Sequence, residues 1–308
     1  MIRTQTAVPA APKTYARILL IGSNGQVGRA LQQALVPLGL VVALDRHALD
    51  LANRDAIART VRDIRPDLIV NAAAYTAVDR AETEPELAMA INGIAPGILA
   101  EEARRINAVL VHYSTDYVFD GTKATAYAET DIPNPLSTYG KTKLAGEEAI
   151  RATGVAHFIL RTSWVYAAEG ANFLNTMLRL ARERPELRIV NDQTGSPTWA
   201  RAIADLTTHI LSAGSGDNAD PRYGLYHLTA SGAVTWFGFA QAIFAEAEKT
   251  LGLTAPRLTP ISTAEYPLPA PRPANSRLDT TRLTETFGIT PAPWQEMLRQ
   301  CLLEKRSG

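Results

Sequence analysis

The chain has 308 residues, which is long enough to bury a sizeable core in one large or two small domains. Apolar residues make up 46% and charged residues 20%, the proportions of an ordinary soluble globular protein. The formal net charge is zero, which excludes a global field that would attract nucleic acid or an anionic membrane. An anionic ligand would therefore have to be held by local groups.

Cysteine content excludes two further classes of site. Cys301 is the only cysteine, so neither an intramolecular disulfide nor a cysteine-based metal cluster can form. The residue belongs to a C-terminal helical stripe that predicts core packing, formed by Trp294, Met297, Leu298, Cys301 and Leu302.

Residues 1–15 are rich in Pro, Ala and Thr and contain no continuous apolar stretch. This composition predicts a loose leader rather than a signal peptide. No apolar run approaches the length of a transmembrane helix. We therefore expect the protein to be cytoplasmic.

From residue 17 onward, short apolar runs alternate with longer helical patterns. Strands are predicted at 17–22, 40–45, 66–73, 108–115 and 157–164, and they are almost continuously apolar, as strands covered on both faces are. Helical patterns between them include residues 28–38 and 96–107. This alternation predicts an α/β fold with a Rossmann-type doubly wound parallel sheet.

The character of the sequence changes near residue 165, where prolines and irregular stretches increase. Two further strands are predicted at 187–192 and 223–230. We predict a dinucleotide-binding Rossmann domain over residues 16–165. The remainder, 166–308, is predicted to form mainly a smaller C-terminal α/β substrate-binding domain, and the chain could cross back to the first domain.

A glycine-rich turn, Gly22, Gly25 and Gly28, joins the first predicted strand to the first helix. Glycines permit a tight turn and let backbone N–H groups approach a pyrophosphate at a helix N-terminus. The spacing is GxxGxxG rather than the commoner GxGxxG. Because the triplet lies in the first strand–helix unit of the alternating region, it predicts dinucleotide binding.

The choice of dinucleotide is open from the residues alone. Asp45 ends the second strand, about twenty residues beyond the turn, where a carboxylate can accept from ribose hydroxyls and favours NADH. The next residue, Arg46, could pair with a 2′-phosphate and favours NADPH. The small residues of 71–76 at the end of the third strand either admit a cofactor or mark tight strand–helix packing.

Tyr139 and Lys143 are four residues apart in a predicted helix, which places both on one face. A phenol beside an ammonium has its anionic form stabilised, so its pKa is expected to fall toward the working pH. A proton donor or acceptor needs that property. An isolated YxxxK pattern is also typical of an ordinary amphipathic helix, so the interpretation depends on the rest of the sequence.

With the glycine turn, "HYSTDYVFDG" (112–121) and "YGKTK" (139–143) resemble the extended short-chain dehydrogenase/reductase superfamily. The segments "NAAAYTAVDRAETEP", "RTSWVYA", "NDQTGSPT" and "RPANSRLD" are similar to the dTDP-4-dehydrorhamnose reductase family, over most of the chain from Arg17 to about Trp294.

The resemblance implies a mechanism for reducing the 4-keto group of a sugar nucleotide with NADH or NADPH. Tyr139 would be the catalytic acid that protonates the developing alkoxide. Lys143 would lower the pKa of Tyr139 and hold the nicotinamide ribose, and Thr115 would donate a hydrogen bond to the substrate carbonyl.

The resemblance also implies further contacts. For the cofactor they are Gly25, Gln26, Val27, Asp45, Asp50, Leu51, Ala74, Tyr75 and Thr76. For the substrate they are Thr115, Asp116, Trp164, Asn172 and Arg272. The residues alone leave two alternatives open: Trp164 as a core residue at a domain junction, and Arg272 as a solvated loop arginine.

Three alternatives remain open: a sugar-nucleotide 4-epimerase, a reductase of another keto sugar, or a non-catalytic regulatory subunit on the same scaffold. A 4,6-dehydratase is disfavoured because Tyr117 stands where such enzymes have a second carboxylate. Some relatives bridge subunits with Mg²⁺ held by carboxylates, but Ala30 and Arg201 stand where those acids are expected. We therefore expect no metal and a monomer or weak homodimer.

Overall fold

The computed structural model describes residues 13–214 and 219–307. Its strands are Tyr15–Ile21 (β1), Gly39–Leu44 (β2), Leu68–Asn71 (β3), Val109–Thr115 (β4), His157–Thr162 (β5), Val165–Tyr166 (β6), Glu186–Val190 (β7), Thr194–Gly195 (β8), Thr198–Trp199 (β9), Gly224–His227 (β10), Val234–Thr235 (β11) and Arg257–Ile261 (β12). Its α-helices are Gln26–Ala34 (α1), Arg54–Ile64 (α2), Val78–Ala81 (α3), Pro85–Met89 (α4), Ala95–Arg105 (α5), Thr138–Thr153 (α6), Phe173–Glu183 (α7), Ala200–Ser212 (α8), Trp236–Leu251 (α9), Thr281–Phe287 (α10) and Trp294–Ser307 (α11). A π-helical turn spans Ala90–Ile94, and short 3₁₀ turns span Val36–Leu38, Asp116–Val118 and Thr263–Glu265.

Six strands form one sheet in the order β10-β5-β4-β3-β1-β2, and each neighbouring pair is parallel. This confirms the predicted α/β fold with a doubly wound parallel sheet. The chain order reverses between β1 and β3, and crevices at such switch points are where open α/β sheets bind ligands. The carboxyl ends of these two strands should therefore frame the functional site.

Alternate residues of each strand point to opposite sides of the sheet, and both sides are covered by core clusters. In β1, Ile18 and Leu20 pack into one core cluster. Leu19 and Ile21 pack into the other, with helices α2 and α5 covering that face. Covering both faces accounts for the continuous apolar runs in the sequence.

A third core lies outside the main sheet, among helices α7, α9 and α11 and the parallel pair β7–β12. The predicted C-terminal stripe lies in this core, and Cys301 is fully buried there, which confirms its packing role. After α8 the chain returns to the main sheet, where β10 pairs with β5. The division of the chain at residue 165 stays a prediction.

The N-terminal boundary differs by one residue from the predicted leader. β1 begins at Tyr15, which is buried, so the last residue of the predicted leader belongs to the sheet. Residues 1–12 lie outside the described part of the chain. Over residues 13–214 and 219–307, no helix has both the length and the apolar character needed to span a membrane.

Candidate active site

The glycine turn is closed so tightly that two of its residues cannot carry a side chain. Gly22 has a φ of +83°, and a Cβ there would lie 2.6 Å from the backbone nitrogen of Ala73. A Cβ on Gly28 would lie 2.0 Å from the carbonyl oxygen of Gly22. Helix α1 begins directly after Gly25. Among the described residues no side chain caps this helix, so the first N–H groups of α1 can bind an anion.

A cleft of about 1010 Å³ opens from this turn along the carboxyl ends of the strands. The predicted cofactor residues that line it are Gly22, Gly25, Gln26, Val27, Asp45, Arg46, Asp50, Leu51, Ala74, Tyr75, Thr76, Tyr139 and Lys143. Gly28 is buried within the turn itself. The structure thus brings the glycine turn and the Tyr139 helix to one cleft.

Asp45 has two structural roles at the edge of this cleft. Its carboxylate accepts hydrogen bonds from the backbone nitrogens of Ala48 (3.0 Å) and His47 (2.9 Å), which closes the turn after β2. It also accepts from the side-chain nitrogen of Asn24 at 2.8 Å. These bonds, led by that from Ala48, lower the pKa of Asp45 and keep it ionised.

Two asparagines that sequence analysis missed form hydrogen bonds that hold the wall of the cleft in place. Asn92, in the π-helical turn, accepts from the backbone nitrogen of Tyr75 (2.8 Å) and donates to the carbonyl oxygen of Tyr75 (3.0 Å). It also donates to the hydroxyl of Thr142 on α6 at 3.2 Å. Asn71 ends β3 and bonds to His112 on the neighbouring strand. Their partners are distant in sequence, so no local pattern marks them.

Helix α6 holds Tyr139 in its first turn. The helix begins at Thr138, and the side chain of Ser137 accepts from the backbone nitrogen of Gly140 at 3.2 Å, a standard N-cap. A Cβ on Gly140 would lie 2.2 Å from the carbonyl oxygen of Tyr117, so glycine permits the close approach of the helix. The hydroxyl of Thr115 lies near the phenol of Tyr139 and favours its ionised form.

The expected lowering of the Tyr139 pKa by Lys143 is wrong for this arrangement. Partial burial of the phenol raises the pKa of Tyr139 to about 12, although the nearby Thr115 hydroxyl acts in the opposite direction. Lys143 instead bonds to β4: its Nζ lies 3.1 Å from His112 Nε2 and donates to the carbonyl oxygen of Tyr113 at 2.7 Å. The spacing correctly placed both side chains at one cleft, but it could not show which groups each would bond.

Thr115 and Asp116 are buried and do not line the cleft themselves; they lie behind Tyr139, which does. The Thr115 hydroxyl donates to Asp116 Oδ1 at 2.9 Å, and the Ser163 hydroxyl donates to Asp116 Oδ2 at 3.1 Å. The side chain of Ser276 also favours the ionised form of Asp116. Burial raises the pKa of Asp116 to about 6, although these bonds favour its ionised form.

Trp164 is half-buried and has a φ of +48°, an uncommon conformation for a residue other than glycine. Its indole stacks on Trp236 with ring centroids 3.4 Å apart. Backbone strain of this kind is held only where the surroundings impose it. Trp164 is thus held by packing, while part of its surface stays exposed.

The other two predicted substrate residues are bonded within the protein. Asn172 caps α7 and donates to Gln26 Oε1 at 2.9 Å, which ties that helix to the glycine turn. Arg272 pairs with Asp79 at 2.8 Å and lies over the ring of Tyr117. Within the described residues, no group of three or more His, Cys, Asp or Glu side chains could hold a metal ion.

A Rossmann-type sheet with a glycine turn, and a Tyr–Lys helix in the same cleft, define a dinucleotide-binding protein of the short-chain dehydrogenase/reductase type. The profile of the family described as RmlD substrate binding domain matches residues 16–307. The dTDP-4-dehydrorhamnose reductase of Burkholderia thailandensis is 49% identical over 93% of this chain and 98% of that protein. That of Escherichia coli K12 is 48% identical over 93% and 97%. The chain therefore belongs to the dTDP-4-dehydrorhamnose reductase family.

Solved structures agree with this assignment. The dTDP-4-dehydrorhamnose reductase of Bacillus anthracis, in complex with NADP, has a TM-score of 0.87 and 35% identity over 94% of this chain and 99% of that one. The Clostridium acetobutylicum enzyme has a TM-score of 0.85 and 37% identity over 93% and 98%. A UDP-glucose 4-epimerase from Thermus thermophilus, 20% identical with a TM-score of 0.77 over 95% and 99%, shares the fold.

Proposed function

We propose that this protein uses NADPH or NADH to reduce the 4-keto group of dTDP-4-dehydro-L-rhamnose, giving dTDP-L-rhamnose. The observation that carries the proposal is that Tyr139, near the Thr115 hydroxyl, lines the same cleft as Gly22 and Gly25 of the glycine turn. Close similarity to reductases of this name supports the substrate. The NADP complex of the Bacillus anthracis relative supports the cofactor.

The nicotinamide, when bound, supplies a hydride to carbon 4 of the sugar. Tyr139 then acts as the general acid, because a pKa of about 12 keeps its phenol protonated at neutral pH. Its proton goes to the oxygen that gains negative charge as the carbonyl is reduced. The Thr115 hydroxyl, near the phenol, would exchange its bond to Asp116 for one to that oxygen, stabilising charge that develops only in the transition state.

Lys143 has a binding role in this proposal, at the ribose of the nicotinamide. The first N–H groups of α1 and the close approach permitted by Gly22 suit the pyrophosphate. Asp45 and Arg46 both line the adenosine end of the cleft, so the residues fit NADH and NADPH alike.

For the sugar nucleotide, we assign the exposed face of Trp164 as a wall for the hexose and Asp116 as a polar contact beside Thr115. Asn172 and Arg272 are assigned to the diphosphate, and both would have to exchange a present bond for that contact, to Gln26 and Asp79 respectively. We further propose that the protein works in the cytoplasm as a monomer or weak homodimer, without nucleic acid or membrane partners.

The test is an assay with purified protein, NADPH or NADH in turn, and enzymatically generated dTDP-4-dehydro-L-rhamnose, followed at the nicotinamide absorbance. A reductase consumes one cofactor per sugar reduced, whereas an epimerase would recycle the cofactor without net consumption. Stoichiometric oxidation with formation of dTDP-L-rhamnose supports the proposal. Cofactor binding without oxidation by this or any other 4-keto sugar would instead indicate a non-catalytic subunit.

A further inference from the structure

A line of three buried side chains runs from the end of β3 through β4 to helix α6. Asn71, His112 and Lys143 are each 1% exposed. The Asn71 side-chain nitrogen lies 3.1 Å from His112 Nδ1, and His112 Nε2 lies 3.1 Å from Lys143 Nζ. Only Lys143 borders the cleft, so the other two act through it.

The direction of hydrogen bonding along this line starts from a fixed donor, the backbone N–H of Ala73. Asn71 Oδ1 accepts from that nitrogen at 3.2 Å, and this bond orients the amide. Rotating the amide by 180° would set two donors against each other. The NH₂ group of Asn71 therefore faces His112 Nδ1 and donates to it, an assignment made from partners rather than from observed hydrogens.

The His112 ring carries a single N–H proton, and the bond from Asn71 determines which ring nitrogen carries it. Burial holds the pKa of His112 well below its usual value, so the ring is neutral. With Nδ1 accepting from Asn71, the proton must be on Nε2. This N–H points at Lys143 Nζ, where an ammonium has no lone pair to accept it, whereas a neutral amine has one.

We propose that Asn71 and His112 are positioning residues that favour the neutral amine of Lys143 in the free protein, so that at alkaline pH Lys143 takes up a proton from solvent when the dinucleotide binds. This inference rests on the proposed function, in which the Lys143 ammonium bonds to the nicotinamide ribose. Its second bond, to the carbonyl oxygen of Tyr113, uses one of the amine hydrogens and leaves the lone pair for His112.

The other ionisable groups around Lys143 are compatible with this assignment. Glu147, one turn further along α6, favours the ammonium, but it is already bound by Arg161 from β5. Tyr139 stays protonated, and Asp116 bonds to Thr115 rather than to Lys143. Burial is the larger influence, and it lowers the pKa of Lys143 to about 8.

The test is calorimetry of NADH binding in buffers of different ionisation enthalpy, which gives the number of protons taken up per cofactor bound. NADH is chosen because it lacks the 2′-phosphate, which titrates near neutrality. From a pKa of about 8 for the free amine, uptake should be about 0.9 proton at pH 9 and about 0.1 at pH 7. Binding heats that are identical across buffers at pH 9 would overturn the inference while leaving the reductase proposal intact.

Asn71→Asp tests the direction of the bonds. A carboxylate accepts both from Ala73 and from His112 Nδ1–H, which moves the ring lone pair to Nε2 and favours the ammonium. Uptake at pH 9 should then fall several-fold, and uptake equal to that of the wild type would contradict the assignment. Tyr139→Phe is the matched control that should keep the full uptake, because its phenol does not titrate in this range. If Asn71→Asp does not fold, the wild type and this control decide the question.

If NADH does not bind, the titration is repeated with NADPH at pH 9, where its 2′-phosphate stays ionised. No binding of either cofactor would show that the proposed function is wrong, and the inference with it. Failure of the inference gives binding with buffer-independent heats, whereas failure of the proposed function gives no binding, so the two results can be told apart.

Discussion

The indole of Trp164 lies between Trp236 and Gly195, stacked on the former with planes within 3° and packed against the backbone of the latter. A Cβ on Gly195 would lie 2.4 Å from Trp164 Cε2, so only glycine permits this position. Residues of β8 and α9 thus hold the Trp164 side chain, which lies just after β5. This contact connects the part of the chain after residue 165 to the proposed sugar site.

Gly195→Ala should therefore displace the Trp164 indole. We expect the KM for the sugar nucleotide to rise about tenfold or more, since overpacking of this kind costs about 1–3 kcal/mol. The glycine turn is untouched, so NADPH affinity measured on the same sample should not change. An unchanged KM in a folded variant would show that Trp164 does not contact the sugar.

The glycine turn offers a graded pair of substitutions. Gly28→Ala would place a Cβ 2.0 Å from the Gly22 carbonyl oxygen, whereas Gly25→Ala would place one 3.3 Å from the same atom. We expect Gly28→Ala to weaken NADPH binding by tenfold or more and to lower the thermal midpoint, and Gly25→Ala to have a smaller effect on both. Titration of nicotinamide fluorescence measures the affinities, and the reverse order would contradict the account of the turn.

A buried ion pair anchors the centre of α6 to β5. Glu147 accepts from Arg161 through two bonds, of 2.9 and 2.6 Å, and both side chains are at most 2% exposed. Glu147→Gln leaves the Arg161 charge buried without its counter-ion, so the free energy of unfolding should fall by about 3–5 kcal/mol. Denaturant unfolding measures the change.

The matched control for that substitution is Glu296→Gln. It breaks the pair with Arg299 on α11, in which the two side chains are 43% and 53% exposed. Exposed pairs of this kind contribute little to stability, because water and salt screen the two charges. Equal losses of stability in the two variants would show that burial does not determine the strength of the α6 pair.

Several features of the fold and site were predictable because they depend on neighbours along the chain. The five apolar runs before residue 165 lie on the central sheet, since both of its faces are covered. The spacing of Tyr139 and Lys143 predicted a shared cleft. Bonds across the fold could not be predicted: the Arg272–Asp79 pair is separated by 193 residues. The raised pKa of Tyr139 depends on water exclusion, which a spacing rule does not contain.

The buried carboxyl of Asp116 predicts a specific pH dependence of stability. Its pKa rises from 3.8 to about 6 in the folded protein, so the folded state binds a proton more tightly than the unfolded state. The contribution of this group to folding therefore becomes less favourable as the pH rises from about 4 to 6, and it is constant above that range.

Asp116→Asn removes this titration. The stability of the variant relative to the wild type should thus improve by about 2 kcal/mol between pH 4 and pH 7. Chemical unfolding of both proteins at each pH measures the difference, in which contributions common to the two cancel. A difference that does not change with pH would show that folding does not raise the pKa of Asp116.

The central claim is that the phenol of Tyr139 gives its proton to the reduced carbonyl oxygen, and Tyr139→Phe tests it most directly. Tyr226→Phe is the matched control. Tyr226 lies on the outer strand β10, and its buried phenol hydroxyl donates to the carbonyl oxygen of Arg222, which precedes that strand. With dTDP-4-dehydro-L-rhamnose, kcat of the Tyr139 variant should fall about 10²- to 10⁴-fold, with NADPH affinity retained and the control close to the wild type. A folded Tyr139→Phe enzyme that keeps the wild-type turnover would contradict the account.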